Sequence, residues 1–159
     1  MKTLVIIPSR LSASRLPGKP LLKINGLSII SHVFKKAQEA NIGDVFVAAE
    51  DQEIVEDVKK NGGEAILTRN NHNTGTDRIY EALVKLGRSD VELVMNLQGD
   101  EPLINIDDIK NLNKRNKSIR EKVKIIYENL GNLKNFEVPK VKNYENLGGF
   151  HYGIPFFCK

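Results

Sequence analysis

Three cations, Arg10, Arg15 and Lys19, fall close together just after a short apolar run, Leu4 to Ile7, that Pro8 brings to an end. Ser9, Ser12, Ala13, Ser14 and Gly18 lie among them, small enough to let the backbone come near a ligand. A polyphosphate asks for this combination: backbone N–H groups, arginine for forked contacts and lysine as a point charge. A carboxylate of matching use stands further on. Asp100 follows Gln98-Gly99 at the end of a second apolar run, Val91 to Leu97. Facing a triphosphate it would suit Mg2+, which takes one or two carboxylates and fills its octahedron with phosphate oxygens and water. The plainer roles of the same residues are a solvated basic loop and, for Asp100, a helix N-cap or an ion-pair partner. Glu101 is a weaker ligand candidate, because adjacent strand residues point to opposite faces.

Two familiar phosphate loops are excluded by spacing. A Walker A loop needs a glycine where Ala13 stands and Ser or Thr where Pro20 stands. The dinucleotide fingerprint needs several glycines, and Gly18 is the only one before Gly26. Thr74, Gly75 and Thr76 form a third candidate stretch ahead of a helix: one threonine is expected to cap it, and the backbone there can also read a base edge. Arg78, on the first turn of that helix, can equally pair with Asp77 or Glu81. The three histidines carry little: His32 falls in a helical stripe, His72 in a polar loop, and no His/Cys spacing supports zinc or thiol chemistry.

Apolar periodicity places these residues on a framework. Leu4–Ile7, Val45–Ala49, Ala65–Leu67 and Val91–Leu97 read as buried strands. Between them lie three helical patterns: Ile29, Ile30, Val33, Phe34 and Ala37 behind a cap at Ser28; Ile54, Val55 and Val58 behind a cap at Asp51; and Ile79, Ala82, Leu83 and Leu86. Asn25-Gly26 marks a turn and Gly62-Gly63 a helix end. Strands that alternate with helices predict an α/β fold with a parallel sheet, covered by helices on both faces. In such sheets ligands sit beyond the carboxyl ends of the strands, where the basic loop, the threonine loop and Asp100 all fall. From 106 to 116 a helix using Ile109 and Leu112 is expected; from 117 to 147 no period is sustained. The organisation expected is a nucleotide-binding part, 1–116, and a shorter part, 117–159.

The chain has 159 residues and a net charge of +4, with 40% apolar and 28% charged residues, an ordinary globular composition. Between Lys110 and Lys124 stand seven Lys/Arg and a single acid, so the remainder is slightly acidic. With no interleaved aromatics this run reads as a solvated helix face rather than a nucleic-acid surface. One cysteine, Cys158, excludes an intramolecular disulfide framework. No run is long and apolar enough to span a membrane, and the N-terminus lacks a signal peptide's apolar core, so a cytoplasmic location is expected.

Taken together, Ile7-Pro8-Ser9-Arg10 with Ser14-Arg15-Leu16-Pro17-Gly18-Lys19-Pro20-Leu21, then Gly75-Thr76-Asp77-Arg78, then Gln98-Gly99-Asp100-Glu101-Pro102, resemble the motifs of the 3-deoxy-manno-octulosonate cytidylyltransferases, or CMP-KDO synthetases. The resemblance is nearly ungapped from residue 4 to about 103. It implies a Rossmann-like three-layer fold with a mostly parallel sheet, of the nucleotide-diphospho-sugar transferase type. It also implies transfer of CMP from CTP to KDO for lipopolysaccharide biosynthesis, with Mg2+ on Asp100. Arg10, Arg15 and Lys19 would hold the phosphates; Ser9, Gly75, Thr76, Arg78 and Gln98 would contact the nucleotide. The family's homodimer is a further implication, with no nucleic-acid or membrane partner.

The departures are also informative. Asp77 stands where many members have Glu, and Pro155 where a tyrosine follows the His-x-Gly strand, here His151-Tyr152-Gly153. The family's second metal carboxylate and the serine-arginine segment of the sugar half have no counterpart. Two alternatives are therefore kept: a catalytically inactive CTP-binding remnant, and a cytidylyltransferase for another sugar acid such as sialic acid, whose loop usually ends Gly-Lys-Asn rather than Gly18-Lys19-Pro20.

Overall fold

Strand β1 (Thr3–Ser9) is buried along its whole length except at half-buried Pro8. Leu4, Val5, Ile6 and Ile7 have no exposed surface at all, as a central strand covered on both faces demands. The computed structural model describes residues 2–12 and 16–130, with side chains through Ser118. Beyond β1 come a single 3-10 turn (Lys19–Leu21) and a hairpin of β2 (Lys23–Ile24) and β3 (Leu27–Ser28). The chain then alternates through α1 (Ile29–Glu39), β4 (Gly43–Ala49), α2 (Gln52–Lys60), β5 (Ala65–Leu67), α3 (Gly75–Leu86), β6 (Leu93–Asn96) and α4 (Ile106–Leu130).

The main sheet has the order β5-β4-β1-β6, and every pair in it is parallel. Alternate residues of β1 feed two cores. Val5 and Ile7 join Val47, Ala49, Met95 and Leu97 beneath α1, α2 and the start of α4, which contributes Ile109. Leu4 and Ile6 join Ala48 and Val94 beneath α3, through Ile79 and Ala82. This is the three-layer α/β architecture expected from the alternation of strand and helix patterns. Each fully buried Leu, Ile or Val here is worth roughly 1.5–3 kcal/mol of transfer free energy, so the two faces together dominate stability.

A proline in a central strand needs a reason, because it removes a ladder donor. The Ile6 carbonyl accepts from Leu97 N (3.2 Å), whereas the Ser9 carbonyl accepts from Glu50 N (3.1 Å). Residues 6 and 8 therefore face β6 and residue 9 faces β4, since backbone groups alternate sides along a strand. Pairing of β1 with β6 ends at Ile6–Asn96, while pairing with β4 runs on through Ser9–Ala49. Pro8 thus lacks its N–H where no partner strand remains. The border between β1 and β6 is also where the strand order reverses direction, the place at which open α/β sheets bind ligands.

Local signals act as their chemistry dictates. Asn25 (φ 51°) and Gly26 (φ 82°) are both left-handed, the geometry of a two-residue hairpin turn. The two short strands they join were not evident from the sequence, which marks only the turn. His32 Nε2 meets the Ile24 carbonyl at 2.8 Å and ties the hairpin to α1, a structural use of that histidine. Ser28 caps α1, accepting from Ser31 N.

Besides the hairpin, the elements differ from the sequence reading in their boundaries and in α4. Strand β6 is shorter than Val91–Leu97. Helix α4 has 25 residues and continues to Leu130 instead of stopping at Asn116. Near its start Ile109 is buried, and the Asn113 side chain accepts from Thr3 Oγ1 at 2.9 Å, docking α4 on the start of β1. Later positions are rich in Lys, Arg, Asn and Glu, and the helical spacing of Ile119, Val123, Ile126 and Leu130 among them was passed over. Lys114 and Arg115 are exposed, in keeping with a solvated face. Among the described residues no helix is long and apolar enough to cross a membrane. The His151–Pro155 segment lies outside the described residues.

Candidate functional site

The three stretches singled out by sequence converge on Pro8. Gly99 lies so close that a Cβ on it would stand 3.0 Å from the Pro8 carbonyl oxygen and 3.1 Å from Ile30 Cδ1. Gly75, the first residue of α3, approaches the other side of the Pro8 ring: a Cβ there would sit 3.4 Å from Cγ. Glycine at position 99 is favoured by this tight approach, whereas at position 75 the contact is an ordinary one.

The basic loop leaves the tip of β1 with Ser9 buried (7% exposed) and Arg10 exposed. The Ser9 hydroxyl has no hydrogen-bond partner among the described residues. Leu11 closes the loop, its carbonyl accepting from Gly18 N at 3.0 Å. Gly18 has φ 73°, a left-handed conformation that glycine adopts without strain, and it starts the 3-10 turn in which Pro20 is buried. Lys19, first in that turn, donates from Nζ to Asp100 Oδ2 at 2.9 Å. Residues 81 positions apart in sequence thereby meet across the border between β1 and β6. Both side chains keep solvent access, 34% and 58%, so the pair is worth at most about 1 kcal/mol and can be exchanged for a ligand. The ion-pair role of Asp100 is the one occupied here. Arg15 lies outside the described residues.

On the α3 side, Thr74 is the capping threonine. Its hydroxyl accepts from Asp77 N (3.1 Å), and the Asp77 carboxylate accepts from Thr74 N (3.1 Å), a reciprocal capping box. Gly75 and Thr76 remain exposed at the helix N-terminus, and Gln98 is exposed at the tip of β6. Arg78 is placed differently from either surface pairing considered for it. Only 3% exposed, it donates from Nη2 to Glu50 Oε2 and from Nη1 to Thr68 Oγ1 at 2.9 Å. Its guanidinium is committed inside the fold, so it sits behind the site and does not project into it.

Sequence reasoning passed over the acids that hold these loops. Asp51 stands at the N-cap of α2, yet its side chain makes no cap bond there; Oδ2 accepts from Leu11 N at 2.8 Å instead. Glu50 Oε1 accepts from Ser12 Oγ at 3.2 Å. Glu81, on α3, accepts from Arg69 N (3.2 Å), from Lys85 Nζ (2.8 Å) and from His72 Nε2, pinning the loop that leads to Thr74. Burial works to raise the Glu81 pKa, but these donors prevail and hold it down at about 2. The signal for Glu50 and Asp51 was available: they follow a parallel strand directly, at the sheet edge where ligand loops gather.

No group of three or more potential metal ligands converges among the described residues. A single carboxylate at a strand tip is nonetheless the donor set that Mg2+ accepts when phosphates supply the other oxygens, so Asp100 fits that role.

The fold is that of a three-layer α/β protein, and the chain belongs to the cytidylyltransferase family, whose model matches residues 4–147. Among curated relatives, the 3-deoxy-manno-octulosonate cytidylyltransferase of Bradyrhizobium sp. (strain BTAi1) is 54% identical over 112 residues, 68% of this chain and 46% of that protein. Its counterpart from Rhodopseudomonas palustris (strain BisB18) is 52% identical over 110 residues, 69% of this chain and 45% of that protein. Among solved structures, a CMP:2-keto-3-deoxy-manno-octonic acid synthetase complexed with CTP superposes with a TM-score of 0.69 at 41% identity, covering 74% of this chain and 48% of that one. A cytidylyltransferase from Leptospira borgpetersenii gives 0.57 at 25% identity over 69% of this chain and 46% of that one. The chain thus spans about half the length of the relatives it matches.

Proposed function

We propose that the strand tips bind CTP and that the protein transfers its cytidylyl group to 3-deoxy-D-manno-octulosonate, giving CMP-KDO and pyrophosphate. The observation that carries this reading is the Lys19–Asp100 contact at 2.9 Å, which unites the basic loop and the Gln98-Gly99-Asp100 turn at one site. Identity of about half with curated enzymes of that name supports the choice of sugar acid.

Arg10, Arg15 and Lys19 hold the phosphates in this reading, and Lys19 exchanges Asp100 for a phosphate oxygen when nucleotide arrives. The unpartnered Ser9 hydroxyl and the exposed Gln98 add neutral contacts, and the backbone at Gly75-Thr76 faces the base. The sugar hydroxyl oxygen forms a bond to the α-phosphorus while the bond to the α–β bridging oxygen breaks. The electron pair leaves with pyrophosphate, and the hydroxyl proton passes to solvent. The loop cations offset the charge that develops on the leaving group, and positioning supplies most of the remaining acceleration. Mg2+, held by Asp100, would polarise the phosphate oxygens and neutralise part of their charge. The family homodimer is part of the proposal for the whole protein, as is its cytoplasmic location.

Calorimetric titration of CTP with and without Mg2+, paired with a pyrophosphate-release assay offered KDO or sialic acid, tests the proposal. It expects Mg2+-dependent CTP binding that UTP and ATP do not match, and release with KDO alone. Equal binding of all three nucleotides would refute the cytidine assignment, and release with sialic acid alone would refute the sugar.

A further inference from the structure

The proposed reading uses the tips of β1, β5 and β6 and leaves the tip of β4 without a task. Yet β4 ends in two acids, Glu50 and Asp51, next to a loop that is to receive a highly anionic ligand. Free carboxylates there would repel phosphate. Neither is free. Glu50 is matched by the buried Arg78 guanidinium on one oxygen and takes the Ser12 hydroxyl (3.2 Å) on the other. Asp51 takes the Leu11 backbone N–H at 2.8 Å, and the Leu11 carbonyl in turn receives Gly18 N at 3.0 Å. Leu11 and Ser12 are thus moored to this pair of acids, and Gly18 is tied in through Leu11. Through Arg78, Glu50 is fixed to α3, four positions past its Thr74 cap.

We infer that Glu50 and Asp51 are positioning residues: they hold the phosphate-binding loop in its binding shape and lock it to the N-terminus of α3. The inference rests on the CTP reading of this site and adds residues that touch no ligand. A loop with several like charges resists compaction, and ordering it only on arrival of the nucleotide subtracts from affinity. Mooring the loop from behind meets that cost during folding. The moored contacts serve the phosphates, so their loss weakens a triphosphate much more than a monophosphate that shares only the base and sugar contacts.

The test uses Asp51→Ala and Glu50→Gln, with Ser12→Ala as the mildest variant, since it removes an exposed loop contact and leaves the Glu50–Arg78 pair intact. Alanine at 51 removes the acceptor that asparagine would keep. Amide exchange in the nucleotide-free protein is read at Leu11 and Gly18, and CTP and CMP affinities are measured side by side. For Asp51→Ala we expect Leu11 and Gly18 to exchange at least about tenfold faster. CTP binding should weaken about tenfold and CMP binding less than about twofold. Ser12→Ala should move the same ratio in the same direction by a smaller factor. A lower melting temperature with an unchanged CTP-to-CMP ratio would overturn the inference, leaving the acids a purely structural role. Unchanged exchange at Leu11 and Gly18 would overturn it as well. If the parent protein binds no CTP, the functional reading fails by itself, and the exchange rates still judge whether the acids hold the loop.

Discussion

Replacing Gly99 by alanine places a methyl group 3.0 Å from the Pro8 carbonyl oxygen, 3.1 Å from Ile30 Cδ1 and 3.3 Å from Ile7 Cγ2. The three neighbours differ in how they can yield. A terminal methyl of Ile30 can rotate aside. The Pro8 carbonyl cannot, because β1 stays paired with β4 through Ser9–Ala49 and its proline ring fixes φ. Relief must come from the other partner, by lifting the 98–100 turn away from β1 by a few tenths of an ångström. Overpacking of this size costs roughly 1–2 kcal/mol, and the melting temperature should fall by roughly 3–8 °C. The displacement also draws Asp100 away from Lys19, now 2.9 Å apart, and splits the site. Thermal melts by circular dichroism should therefore be paired with CTP titration in Mg2+, where a several-fold loss of affinity is expected. Gly75→Ala is the control: its methyl would meet Pro8 Cγ at 3.4 Å, an ordinary contact, so stability should barely change. If Gly99→Ala melted with the parent and bound CTP equally well, the close approach of β6's turn to Pro8 would not be what shapes the site.

Gly43→Ala should be far more damaging than Gly99→Ala, since its Cβ would fall 1.9 Å from the Thr3 carbonyl oxygen, inside the β1–β4 ladder; loss of cooperative thermal unfolding is the expected readout. Asp100→Ala should abolish the Mg2+ dependence of CTP binding while leaving the far-ultraviolet spectrum and melting temperature close to the parent's, because an exposed strand-tip carboxylate is removed and no core group; calorimetry with and without Mg2+ decides it. The Glu81 pKa, held at about 2 against a usual 4.5, predicts a sign for acid sensitivity. A depressed carboxylate pKa contributes stability that is present above the unfolded value and is lost as pH falls from there through the folded value. Glu81→Gln should thus flatten the fall in stability between about pH 4.5 and 2, read by denaturant titration at each pH.

Much of the fold was legible because its determinants are local. Apolar runs covered on both faces marked the four parallel strands, and strand β5 was readable to the residue, Ala65–Leu67. Helical stripes behind Ser28 and ahead of Gly62 marked α1 and α2. Residue types also identified the basic loop, the Thr74–Arg78 stretch and Asp100 as candidates, since phosphate and metal chemistry restrict which side chains can serve. What sequence could not assign was partnership. Arg78 and Glu50 are 28 positions apart, Leu11 and Asp51 40, Lys19 and Asp100 81. Each pairing exists only because parallel strands bring their carboxyl ends to one edge. Asp51 shows the consequence: its local signal was a helix cap, and the nearby Leu11 N–H, delivered by the β1–β4 register, took its carboxylate instead. The length of α4 was missed for a different reason: Ile119, Val123, Ile126 and Leu130 do recur at helical spacing, but they lie within a run so rich in Lys, Arg and Asn that the period was not read. Composition and spacing determined which residues were candidates for phosphate and metal chemistry; the order β5-β4-β1-β6, and the early end of the β1–β6 ladder at Ile6, decided which of them meet.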